Sequence, residues 1–242
     1  MSQGRVLARP DGLPSWFEPL LTRAGQCRTE DFTPLREPVG GGGRASAVLV
    51  LLGESEPGPD TPGGPDLLIL QRAATMRNHA GQPAFPGGAT DPEDADATVT
   101  ALREASEEVG LDRSSAEVLA LLPDLWIPVS RFVVTPVLAW WRHPHEVHPL
   151  QPAEVAHVAR LPISELADPA NRIRVRHPSG WIGPAFQVRG LLVWGFTAGV
   201  ISVLLDMAGW SQPWEQGRVV ELPDASAPVP AARGGAPDEV VS

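Results

Sequence analysis

Two long, almost unbroken apolar runs limit what this chain can fold into: Ala45–Leu52, "ASAVLVLL", and Phe132–Trp141, "FVVTPVLAWW". The first reads as a central strand and the second as another apolar strand. "LLILQR", Leu67–Arg72, adds a shorter strand. "AEVLALLPDLWI" starts a further strand–loop unit, and "AEVAHVARLPISELADP" gives a strand followed by a short helix from near Pro162 or Ser164. "RIRVRHP" alternates with the period of a half-buried strand. Strands outnumber helices, but long helices fall between and after them. The expected class is α/β in the α+β sense, a mixed central sheet covered by helices. No regular doubly wound order and no repeat is indicated.

The chain of 242 residues suffices for one large domain with tails. Residues 1–43 read as an N-terminal arm, broken by Pro10, Pro14, Pro19, Pro34 and Pro38 and ending in a glycine hinge, Gly40–Gly43. "WFEPLLTRAG" can still form a short helix against the core. Residues 44–222 read as the domain, and 223–242, rich in Ala, Pro and Gly, as a disordered tail. The net charge of −10 speaks against a nucleic-acid surface, but not against a small anionic substrate beside a bound metal. One cysteine, Cys27, leaves no disulfide framework and fits a reducing cytoplasm. The N-terminus lacks the apolar core of a signal peptide. Gly190–Leu205 is uncharged but shorter than the roughly 20 residues needed to span a bilayer, so a buried helix is expected there and no membrane partner.

The stretch Gly87–Leu111, "GGATDPEDADATVTALREASEEVGL", carries the chemistry. Asp94 or Asp96 can cap a helix that ends at Gly110, whose left-handed preference suits a C-terminal cap. Thr98, Leu102, Ala105 and Val109 recur at helical spacing and are expected to face the core. Glu104, Glu107 and Glu108 then fall on the other side, where they would repel one another unless a divalent cation sits between them. Arg103 is four residues before Glu107 and can hold it by an ion pair. The preceding "FPGG" brings backbone close to such an ion. A plain solvated acidic face explains the spacing equally well; the glycine turn favours the cation.

The same residues resemble the Nudix box. "REASEEVG", Arg103–Gly110, fits that signature in full; the front half is one residue longer than the common form, with Asp94 where Glu is usual. The longer spacing resembles the coenzyme A diphosphatase subgroup, whose second signature is matched by Arg72, Met76, Arg77, His79, Gly81, Gln82 and Phe85–Gly88 in "LLILQRAATMRNHAGQPAFPGG". Leu70, Ala73 and Pro83 depart from it. The resemblance implies a Nudix-type alpha-beta-alpha sandwich and metal-dependent hydrolysis of a nucleoside diphosphate derivative. In the subgroup, coenzyme A or acyl-CoA is cut to 3',5'-ADP and 4'-phosphopantetheine or its acyl form. It further implies Mg2+ or Mn2+ held by Glu104, Glu107, Glu108 and the Gly88 carbonyl, with Glu107 or Glu108 as base and Arg103 orienting Glu107. Arg72 and Arg77 become candidates for phosphate contacts, and His79 and Gln82 for lining the site. NADH, ADP-ribose or a related derivative is the alternative substrate, and a catalytically silent nucleotide-binding module a third reading. A homodimer is expected from the family habit, with late tryptophans such as Trp140, Trp181 and Trp210 in core or interface.

Overall fold

The computed structural model describes residues 2–58, 62–76 and 79–222; the expected tail over 223–242 lies outside them. In chain order, β1 (Arg5–Val6) precedes α1 (Phe17–Ala24) and α2 (Thr29–Phe32). Next come β2 (Arg44–Ser55), β3 (Gly64–Arg72), β4 (Pro83–Ala84) and β5 (Gly87–Ala89), then α3 (Ala97–Val109). They are followed by β6 (Ala116–Leu121), β7 (Leu125–Ile127), β8 (Phe132–Trp141), β9 (Val155–Pro162) and α4 (Ile163–Ala167). The described chain closes with β10 (Arg172–Arg176), β11 (Ile182–Val188), β12 (Leu191–Val193), α5 (Gly195–Met207) and β13 (Val219–Glu221).

The main sheet is mixed. Its order is β1-β6-β8-β2-β3-β4, with β5 on β2, β7 on β8 and β9 on β3. The two apolar runs lie side by side and parallel at its centre, Leu49 opposite Val137. Alternation along β2 sends Val50 and Leu52 into one core and Ala47, Leu49 and Leu51 into another. The α3 helix covers the second face through Ala101, Ala105 and Val109. On the first face lie α1, α4 and α5, packed around Phe17, Leu21, Leu166, Ile201 and Leu205. This is the expected three-layer sandwich. Complete burial of each such Leu or Phe stabilises by about 1.5–3 kcal/mol.

Within residues 1–43 the short helix expected of "WFEPLLTRAG" forms as α1 against the core, with Phe17, Leu20, Leu21 and Ala24 fully buried, and β1 pairs with β6. Pro19 is accommodated because it falls in the first turn of α1, where its missing N–H has no intrahelical partner to lose. The apolar stretch Gly190–Leu205 is not one helix. Leu191–Val193 is a strand, Trp194 stays extended, Gly195 takes a left-handed φ of 68°, and the helix runs on from there. Finally, "RIRVR" belongs to a second sheet, β12-β11-β10-β13. Arg172 of β10 fastens that sheet to α5. It is buried, stacks on Trp214 and Phe186, and donates to the Ser202 and Ser211 hydroxyls at 2.8 Å each. Burial lowers its pKa from the ordinary arginine value.

Candidate active site

The site forms where the β4–β5 turn meets α3. Helix α3 is capped by Asp96, whose Oδ1 accepts the N–H groups of Thr98 and Val99 at 2.8 and 3.0 Å. Its other end stops at Gly110, in the left-handed region at φ 72° as anticipated. Asp94 is therefore not the cap. It accepts the Asp91 N–H and the Thr100 hydroxyl at 3.0 Å each, and Arg103 grips it through Nε and Nη2 at 3.1 and 3.0 Å. That guanidinium holds the Asp94 carboxyl down at about 2.

Arg103 is the hub of the acidic cluster. Beyond Asp94 it donates to Glu104 at 3.1 Å, to Glu107 at 3.2 Å and to the Ala89 carbonyl at 3.1 Å, with Asp91 3.6 Å away. The Glu107 pair is the one the four-residue spacing suggested. Glu107 is exposed, but Glu108 is not on the solvated side: it is 4% exposed and shares the inward stripe of Ala101 and Ala105. Of the expected stripe, Ala105 and Val109 are buried and Leu102 packs at the edge of the same core, while Ala101 rather than Thr98 completes the buried face.

Glycine allows this approach. Gly87 has φ +156°, and a Cβ there would lie 2.4 Å from the Ala47 carbonyl oxygen and 2.6 Å from the Val48 Cα. Its N–H donates to Glu108 Oε2 at 2.9 Å. A Cβ on Gly88 would lie 2.4 Å from Glu104 Oε1, so only glycine lets that carboxylate rest on the turn. Burial pushes Glu108 up to about 7; the Gly87 N–H and Arg72 oppose the rise, while the charges of Glu104 and Glu154 add to it. Glu104 is also raised, first by burial and then by Glu107 and Asp91, against Arg103.

Glu154, at the start of β9, was not singled out from the sequence. It is a lone Glu before an apolar strand, with no spacing to mark it, and only the fold sets its charge against Glu108. Arg72 closes the same corner. Its N–H donates to the Gln82 carbonyl, and its Nε is buried without a hydrogen-bond partner among the described residues. His79 and Gln82 hold each other, Nδ1 to Oε1 at 2.9 Å, with His79 at a left-handed φ of 57°. Arg77 lies outside the described residues.

Among the described residues, no three His, Cys, Asp or Glu side chains stand as a closed ligand set. Arg103 draws Glu104 and Glu107 toward itself, and Gly87 holds Glu108. The donors nevertheless suit a hard divalent cation. Among the described residues, Arg103 pairs with Asp91, Asp94, Glu104 and Glu107, Arg72 opposes Glu108, and burial raises the two most enclosed glutamates. Carboxylate oxygens of this kind take Mg2+ or Mn2+.

The NUDIX domain family model matches residues 43–179. The "Uncharacterized Nudix hydrolase NudL" of Citrobacter koseri is 42% identical over 147 residues, covering 58% of this chain and 73% of that protein. Its namesake from Cronobacter sakazakii is 38% identical over 172 residues, covering 66% and 81%. Among solved structures, a Nudix hydrolase from M. smegmatis, RenU, aligns over 72% of this chain and 90% of its own with a TM-score of 0.46 and 20% identity. No helix among the described residues is long and apolar enough to cross a membrane.

Proposed function

The chain belongs to the Nudix hydrolase family, and from that premise we propose that it hydrolyses the diphosphate of coenzyme A or an acyl-CoA to 3',5'-ADP and (acyl-)4'-phosphopantetheine. It is a hydrolase of pyrophosphate bonds; the substrate and the residue roles are our reading. The observation that carries it is the corner where Arg72 Nε, buried and without a hydrogen-bond partner among the described residues, lies by the enclosed Glu108. Water attacks one phosphorus, the bond from that phosphorus to the bridging oxygen breaks, and the departing phosphate leaves as the anion. Bound Mg2+ or Mn2+ supplies charge neutralisation and a more acidic water.

The protein's residues do the rest. Glu104, Glu107, Glu108 and the Gly88 carbonyl hold the metal, and Glu107 or Glu108 accepts the proton from water. Arg103, anchored by Asp94, sets the aim of Glu104 and Glu107. Arg72 donates to a diphosphate oxygen, a geometry guanidinium suits. His79 and Gln82 brace the β3–β4 loop on which the second signature lies, and that loop is joined to the glycine turn through Phe85 and Pro86. We take 44–222, with α1 packed on its core, as the catalytic domain and a homodimer as its assembly. Steady-state rates with CoA, NADH, ADP-ribose and dNTPs in Mg2+ test the substrate. CoA is expected to be cleaved most efficiently; CoA left intact while another turns over defeats the reading.

A further inference from the structure

A cavity of about 600 Å³ opens beside β9, away from the acidic cluster. One wall is formed by Val158, Ala159 and Arg160, which are consecutive. Side chains alternate along a strand, so a cavity touching three in a row meets the strand's edge. That edge is free: among the described strands β9 pairs only with β3. The facing wall is the loop carrying His145 and Glu146, and Arg189 closes one end.

The strand that lines the cavity runs back to the active site. Glu154 immediately precedes β9, and Val155 lies opposite Arg72 in the β3 register. Ala159 is five residues beyond Glu154, about 16 Å of extended chain. The loop is tied to the turn of α3 that bears Glu108: the His148 N–H donates to the Val109 carbonyl at 3.1 Å, and the Leu150 N–H to that of Glu108 at 3.0 Å.

Charge indicates what fits. Arg160 is fixed by Asp66 at 2.7 Å and stacked over Trp141, and Arg189 is paired with Glu165 at 2.6 Å. Both cations are thus neutralised, and Glu146 adds a negative charge, so a phosphate gains no uncompensated partner there. An uncharged chain bearing amides does: the open edge of β9 offers backbone N–H and C=O groups for added pairing, and Arg160 Nη1 makes no hydrogen bond among the described residues, Nε and Nη2 being taken by Asp66 and the Glu54 carbonyl.

We propose that this cavity holds the pantetheine arm, its two amides laid along the free edge of β9, with the diphosphate at Glu154 and Arg72. This rests on the coenzyme A reading above. The test is Glu146→Trp, which fills the cavity from an exposed loop position, with Glu146→Arg as the second variant should the first fail to fold in a thermal melt. The KM for CoA and the inhibition constant of 4'-phosphopantetheine are expected to rise about tenfold, a loss of about 1.4 kcal/mol, while inhibition by 3',5'-ADP stays within about twofold. Weakened 3',5'-ADP with unchanged 4'-phosphopantetheine would put the nucleotide in the cavity and overturn the assignment. CoA cleaved as in wild type by both variants overturns it alone. Wild-type protein that leaves CoA intact removes the substrate reading, and the arm assignment with it.

Discussion

Glu108→Gln removes one charge from the most enclosed carboxylate of the cluster and keeps a carbonyl oxygen to accept the Gly87 N–H. In the metal-free fold Glu108 is pushed from 4.5 up to about 7, chiefly by burial. A carboxyl moved that far is worth about 3 kcal/mol, at about 1.4 kcal/mol per pH decade. The fold favours the protonated form, so this stability is fully present below about pH 4.5 and disappears as pH rises through about 7. At 4% exposure little solvent screening reduces it. In a chelator, wild-type protein should therefore lose about 3 kcal/mol more than the variant between pH 4.5 and pH 8, or about 6–12 °C in Tm for a domain of this size. Calorimetric melts of both proteins at the two pH values read the difference directly, because other titrating groups cancel between them. Saturating Mg2+ should restore the wild type at pH 8 and leave the variant unmoved, and kcat in the variant should fall more than about 100-fold, beyond the loss typical of residues that only orient a ligand. Parallel pH dependence in the two proteins, or a variant less stable than wild type at pH 8 without metal, would refute the reasoning.

Asp94→Asn should lower Tm at neutral pH. Since Asp94 titrates at about 2, its contribution is present above the ordinary carboxylate range and lost only as pH falls through about 2; melts of both proteins from pH 5 to pH 2 should converge at the acid end. Gly87→Ala and Gly88→Ala should separate stability from activity. The first meets backbone and should cost about 1–3 kcal/mol or more in denaturant unfolding, whereas the second meets the Glu104 carboxylate and should chiefly depress kcat. Arg72→Gln should raise KM at least about tenfold with little change in Tm, because the buried Nε makes no hydrogen bond among the described residues; an unchanged KM removes Arg72 from the substrate's path.

Ala45–Leu52 and Phe132–Trp141 were legible as strands because an unbroken apolar run marks itself without reference to a partner, and the fold buries both on two faces. Gly110 was legible because one backbone conformation explains it. Asp94 was harder: two acids two residues apart make equally good caps, and only the position of Arg103 decides between them. Helical spacing alone could not show that Glu108 turns inward, since a stripe starting at Thr98 and one starting at Ala101 share Ala105 and differ in which of Thr98 and Glu108 they bury. Glu154 and the free edge of β9 depend on contacts between residues far apart in sequence and left no local trace. The prolines of the first 43 residues suggested an arm because they break regular structure, while "WFEPLLTRAG" marked the helix, Pro19 in its first turn, whose apolar side completes the core.

That helix has a consequence for how the chain is made. Phe17, Leu20 and Leu21 of α1 share a cluster with Ile201 and Leu205 of α5. The two halves of this contact leave the ribosome roughly 180 residues apart, roughly 10–35 s at ordinary elongation rates. Until α5 emerges, one face of the nascent sheet has only half its cover, and a fragment trimmed to the family match at 43–179 never acquires either half.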